Sequence, residues 1–201
     1  MKAIAVAGPR WPARGVATPR TVRSSWSYRV DVGTSCTEYQ GSGFWTRDAA
    51  LEVVLALLVL ELEPAAQGDE ALEEILDVWT VQAVAGFTGC MSPDLDEHLT
   101  GRPGLMAAVT AALARIRDRV PAEGSIDVDS PALAERADRV CHGQAWYTPG
   151  AAAAWVGNVA DAIRDLIEGR LPEVPGAFWF VDGEGRHAYP KHRDHERADP
   201  A

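Results

Sequence analysis

Lysine is almost missing from this 201-residue chain: Lys2 and Lys191 are its only two, so arginine carries nearly all the positive charge. Asparagine is scarcer still, with Asn158 alone. Together with abundant alanine, this bias reads as translated GC-rich DNA and an expected bacterial origin. Cysteine is sparse too. The three thiols, Cys36, Cys90 and Cys141, are odd in number and show no CxxC spacing. That excludes a disulfide framework and fits a reduced, cytoplasmic compartment.

Long apolar runs are also lacking. "AIAVA" after Lys2 ends at Gly8-Pro9-Arg10, shorter than the roughly 7–15 residues of a signal peptide's apolar region. The greasiest stretch, "VVLALLVL" (53–60), is bracketed by Glu52 and Glu61. It falls far below the roughly 20 residues that span a bilayer, so it is expected to be a helix buried on most sides. No membrane partner is expected.

The last absence is the most telling. From 48 to 101 the chain carries twelve acids and no lysine or arginine, for a net charge of −12. Residues 1–47 hold seven bases against Asp31 and Glu38, a net +5, and residues 102–201 contribute −3, for −10 in all.

What is present reads as one globular domain over 26–190, between a basic arm (1–25) and a polar tail (191–201). The arm has three prolines, five bases and no acid, as a flexible segment would, or one lying upstream of a true start such as Val22. "WSYRVDV" (26–32) alternates Trp26, Tyr28, Val30 and Val32 with polar residues and predicts a strand, with "GSGFW" as its hairpin partner. Thr46 is the expected cap of a helix over 47–63, with Asp48 in its first turn. A second helix over 69–86 places Leu72, Ile75, Leu76, Trp79 and Ala83 on one face. A short helix follows Pro93, and another covers 103–120, burying Leu105, Met106, Val109, Leu113 and Ile116. Two more open at Ser130-Pro131 and Thr148-Pro149. "AFWFVDGEGRHAY" (177–189) predicts a second hairpin. The fold class is therefore α+β: a core of about five helices with short N-terminal and C-terminal β-hairpins.

A small-residue loop with a thiol, "GTSCTEYQGSGFW" (33–45), invites a search for chemistry. Cys-x5-Arg fails, since Ser42 stands six residues after Cys36. A P-loop fails at Glu38, which repels phosphate. Gly41 and Gly43 open a GxGxxG that Thr46 does not complete, and GxSxG would need glycine at Thr37. The plain reading is a hairpin connection with Cys36 as a small, partly buried side chain. Cys36, Glu38 and His142 stand as candidate catalytic residues only for the alternative function, a thiol- or carboxylate-dependent hydrolase, because a nucleophilic cysteine needs a positioned base. His142 adjoins Cys141 at a helix end, where neighbouring side chains diverge by about 100° and do not pair. Asp94 and His98, one turn apart, are candidate metal ligands, as are His192 with His195 or Glu196 in the tail. None has HExxH spacing, and no metal or other cofactor is expected.

The acidic block carries the leading function. Glu61, Glu63, Glu70, Glu73, Glu74 and Asp77 are expected to form a negative helical face, with Tyr39 and Trp45 as aromatic anchors. Solvation and the helix dipole account well for Asp69 and Glu70 but poorly for Asp77. The missing bases exceed what solubility needs. The expected partner is a basic protein, with the chain as an acidic binding module of inhibitor or immunity type. Nucleic acid is disfavoured because its phosphates would be repelled.

Overall fold

The structure, a computed structural model, describes residues 33–86, Gly89, 91–143 and 149–190. The expected arm, the strand at 26–32 and the histidine-bearing tail lie outside the described residues. Six strands and six helices follow in order: β1 (Thr34–Tyr39), β2 (Ser42–Arg47), α1 (Asp48–Ala66), α2 (Glu70–Val84), α3 (Leu95–Leu99), α4 (Pro103–Arg119), β3 (Ser125–Asp127), α5 (Pro131–Val140), β4 (Gly150–Ala152), α6 (Ala153–Ile167), β5 (Ala177–Asp182) and β6 (Gly185–Pro190). The fold is α+β, with a helical core and a hairpin near each end.

Residues 33–45 prove to be strand, turn and strand rather than a loop after a strand. β1 and β2 pair antiparallel from Thr34↔Arg47 to Tyr39↔Ser42. Gln40 (φ 50°) and Gly41 (φ 78°) form the two-residue turn between them. Positive φ at both central positions matches the right-handed twist of the strands.

Thr46 is not the helix cap. It lies buried in β2, its hydroxyl donating to the Val181 carbonyl at 2.9 Å and accepting from Trp155 Nε1 at 3.2 Å. Arg47 takes the cap position without a capping side chain. Asp48 opens α1 as expected, but its carboxylate is buried and serves tertiary structure. Oδ1 accepts from Ser35 Oγ and Oδ2 from the Gly89 N–H, each at 2.6 Å.

α1 is the central rod. Thirteen of its nineteen residues are buried, so it shows no single apolar stripe. A helix apolar all round is stable only when neighbours cover it, and α2, α4, α5 and α6 all pack against it. Each fully buried leucine or valine stabilises the fold by about 1.5–3 kcal/mol relative to exposure. α2 buries Leu72, Ile75, Leu76, Trp79 and Ala83, the stripe the periodicity predicts. Asp69 caps it, accepting from the Leu72 N–H at 3.1 Å.

The two hairpins join into one sheet of order β1-β2-β5-β6. The join is parallel, with Phe44↔Trp179, Trp45↔Phe180 and Thr46↔Val181 in register. A separate pair, β3 with β4, takes residues 150–152 out of the helix expected to start at Pro149, so α6 begins at Ala153. α6 packs on all four strands of the larger sheet and α1 on β2. The opposite sheet face carries no helix among the described residues. No described helix is long and apolar enough to cross a membrane.

Candidate functional site

The acidic helical face does not stand alone. Arg136 sits on the apolar stripe of α5 with its side chain only 1% exposed. Its Nη1 pairs with Glu63, and its Nη2 meets Glu73 Oε2 at 2.8 Å and Asp77 Oδ1 at 2.6 Å. Burial alone would lower the arginine's pKa, but its hydrogen bond to Glu73 and the charges of Glu63 and Asp77 outweigh it and raise the value. Arg139 approaches Glu63 at 3.8 Å, and Arg115 and Arg119 both pair with Glu61.

Four of the six named carboxylates are thus matched by arginines from α4 and α5. Glu70 and Glu74 remain exposed, with no ion pair among the described residues. Much of the negative face has become an internal clamp joining α1, α2 and α5. One signal for it was present in the sequence: α5, "PALAERADRV", spaces Leu133, Arg136 and Ala137 on one stripe, placing a charge where burial is expected.

Of the two aromatic anchors, Tyr39 is buried at 3% exposure, with its hydroxyl against Met106 Sδ at 3.5 Å. It is a core residue and presents nothing to a partner. Trp45 is 37% exposed on the sheet face that no described helix covers. Strand alternation places Phe178 and Phe180 of β5 and Tyr189 of β6 on that same face. The rings touch in a chain: Trp45 to Phe178 at 6.3 Å, Phe178 to Tyr189 at 6.0 Å, and Tyr189 to Phe180 at 5.8 Å. Trp45 and Tyr189 are the exposed rings of this strip, with Phe178 and Phe180 half-buried between them, and exposed apolar patches of this kind often mark interaction sites. Trp45 alone was visible as part of this strip before strand pairing was known.

Beside Trp45 the sheet opens. β2 and β5 begin at Ser42 and Ala177, yet pair only from Phe44 and Trp179 onward. A cleft of about 370 Å³ lies there, lined by Cys36, Glu38, Trp45, Glu173, Phe178 and Trp179, among others. Its carboxylates are Glu38 and Glu173, both exposed and without an ion pair among the described residues. Gly43 positions the first of them. A Cβ at Gly43 would come within 2.9 Å of Glu38 Cγ and 2.7 Å of the Thr37 carbonyl oxygen, so only a bare backbone lets the Glu38 stem cross β2. A larger hollow of about 680 Å³ between α4 and α6 holds Arg164, Glu168 and Arg170, whose charges are already paired.

Cys36 is half-buried next to this cleft, its Sγ 3.7 Å from Glu38 Oε1. Burial first, and then the Glu38 charge, push its pKa up to about 12. The thiol stays protonated near neutral pH, when a nucleophile must be a thiolate. His142 ends α5 at φ 54° and is not among the cleft's lining residues. Glu38 and Glu173 are open to solvent. The candidate metal ligands Asp94 and His98 lie at the start of α3 and within it. Asp94 adopts φ 48° and accepts from Ser92 Oγ at 2.6 Å, while His98 is buried at 4% exposure. Among the described residues no cluster of three or more His, Cys, Asp or Glu is placed to hold a metal ion.

Comparison with known proteins adds no relative: no family model, no curated protein and no solved structure matches the chain.

Proposed function

We propose that the protein is a non-catalytic binding module that docks a basic protein partner on the face of its four-stranded sheet that no described helix covers. One observation carries this reading: the touching rings of Trp45, Phe178, Phe180 and Tyr189 adjoin a cleft whose charged lining residues, Glu38 and Glu173, are both acidic. Rings supply rigid contact area at small entropic cost, and unpaired carboxylates beside them select a positive partner. The surface is the sheet rather than the acidic helices, because Arg115, Arg119, Arg136 and Arg139 already hold Glu61, Glu63, Glu73 and Asp77.

The finer form of this reading is an inhibitor or immunity protein for a basic, nucleic-acid-active partner in the bacterial cytoplasm. The net charge of −10 supports it, as does the free-thiol state of Cys36 and Cys141. A hydrolase at Cys36 and Glu38 is the weaker reading, given the protonated thiol and the solvent-open carboxylates.

The test uses a synthetic decapeptide of alternating arginine and glycine, followed by tryptophan fluorescence. Binding that weakens above physiological salt and is lost in Trp45→Ala and Tyr189→Ala supports the reading. Binding that survives both substitutions but is lost in Glu70→Lys/Glu74→Lys returns the site to the helical face and sinks it.

A further inference from the structure

The cleft between the parting ends of β2 and β5 has a more specific chemistry than the sheet face around it. Its rings, Trp45 and Phe178, meet at 6.3 Å, and Trp179 Nε1 is already engaged with the Pro172 carbonyl at 2.7 Å. Its two carboxylates have no cation among the described lining residues. The basic side chains of the described sheet are engaged elsewhere. Arg47 lies 5.0 Å from the centre of the Trp155 ring, Arg186 pairs with Asp165, and His187 meets Asp182 at 3.1 Å.

Low-dielectric walls with charge of one sign concentrate potential inside a hollow. Aromatic faces and carboxylates attract the same class of group, a guanidinium or an ammonium. Phosphate or carboxylate ligands would be repelled. The volume of about 370 Å³ suits one side chain rather than a folded segment, being near the lower end of the roughly 300–1,000 Å³ seen for small-molecule sites.

We propose that this cleft is a subsite for a single cationic side chain, an arginine before a lysine, received against Trp45 and held by Glu38 and Glu173. Arginine is preferred because its planar fork stacks on a ring while donating to carboxylates at its edge, which a compact ammonium does not do. The inference rests on the docking reading above and names the residue type by which the partner is recognised. Gly43 belongs to the subsite as a positioning residue, since it admits the Glu38 stem across β2.

The experiment follows the Trp45 indole signal by NMR while the whole protein is titrated with acetyl-arginine amide, and in parallel with acetyl-citrulline amide, its neutral isostere. A saturable shift is expected with arginine and none with citrulline at equal concentration. Glu38→Gln/Glu173→Gln should weaken arginine at least about tenfold, as loss of charge-assisted bonds implies, while the melting temperature stays unchanged. Equal shifts from the two amides overturn the subsite, because a neutral ligand then suffices. So does arginine binding that is indifferent to the double substitution.

The same variants separate the subsite from the docking face. If the arginine–glycine peptide needs Trp45 and Tyr189 but ignores the two glutamines, docking stands and the subsite falls. If arginine amide binds as expected while the peptide does not, the subsite stands and docking falls.

Discussion

Arg136 on α5 and Asp77 on α2, 59 residues apart in the chain, meet with Nη2 and Oδ1 at 2.6 Å. The same guanidinium holds Glu63 and Glu73, so one buried cation gathers three carboxylates from two other helices. Those carboxylates are 35%, 43% and 51% exposed. Water can reach them, while the arginine is almost sealed off.

Arg136→Ala is therefore expected to be strongly destabilising, by about 3 kcal/mol, because it leaves clustered like charges over a cavity. Arg136→Met keeps the packing volume and should cost less. Raising the salt concentration should recover part of the loss in both variants by screening the acids. Urea unfolding at two ionic strengths measures each; an Arg136→Ala midpoint equal to that of the parent would show the clamp to be ornamental.

Asp165 on α6 ties Arg170 and Arg186. Burial pushes its pKa up, but hydrogen bonds and charge from Arg186 and Arg170 outweigh burial and hold the carboxyl below its ordinary value. A depressed native value stabilises the fold above the unfolded pKa, and that stability is lost as pH falls through the native one. The loss should begin below about pH 4. Asp165→Asn should be less stable at neutral pH and should show a shallower decline on acidification, read from unfolding midpoints across the acid range.

Cys36 should be a sluggish thiol. With its pKa pushed up to about 12 from an ordinary value of 9.0, thiolate is depleted at mild alkaline pH. Its reaction with an aromatic disulfide should run roughly two orders of magnitude slower than that of an unfolded cysteine. The raised value also stabilises the fold below the unfolded pKa, with that contribution lost as pH climbs above about 9. Cys36→Ser should leave peptide binding intact. Fast labelling of Cys36 in the native protein would contradict the burial assigned to it.

The turn of the first hairpin offers a gain. Gln40 holds φ 50°, a conformation that asparagine tolerates better than glutamine. Gln40→Asn ahead of Gly41 completes the preferred pair for such a turn and should stabilise by about 0.5 kcal/mol. Gly41→Ala, at φ 78°, should destabilise by about 1 kcal/mol. Thermal melts of the two variants should move in opposite directions.

Thr46→Val removes the hydroxyl that links β2 to the Val181 carbonyl. Trp155 Nε1 still donates to that carbonyl at 2.8 Å, so no buried acceptor is orphaned. The loss should stay near 1 kcal/mol, as measured by denaturant titration.

The helices were readable because their information is local. Leu72, Ile75, Leu76, Trp79 and Ala83 declare the buried side of α2 through spacing alone, and the brackets Glu52 and Glu61 mark off the apolar run of α1. What escaped was long-range pairing. Nothing near Glu73 announces Arg136, 63 residues later. Thr46 looked like a cap because a β2 strand running straight into α1 leaves a small polar residue at the junction. The brief β4 was hidden by the Thr-Pro helix signal that precedes it.

The candidate site was half visible for the same reason. Trp45 and Glu38 lie on the first hairpin, whereas Glu173, Phe178 and Tyr189 join them only through the parallel pairing of β2 with β5. No periodicity within one segment can show which distant strand a given strand will choose.

That parallel seam also governs the order of assembly during synthesis. Thr46 bonds to a carbonyl 135 positions further along, so β2 must wait with an open edge until the strand that carries Val181 has been made. A nascent product stopped before Ala177 would carry all six described helices but only half of the larger sheet. Such a product exposes an unsatisfied strand border and invites aggregation; the β5–β6 hairpin is therefore a closing latch as well as a surface.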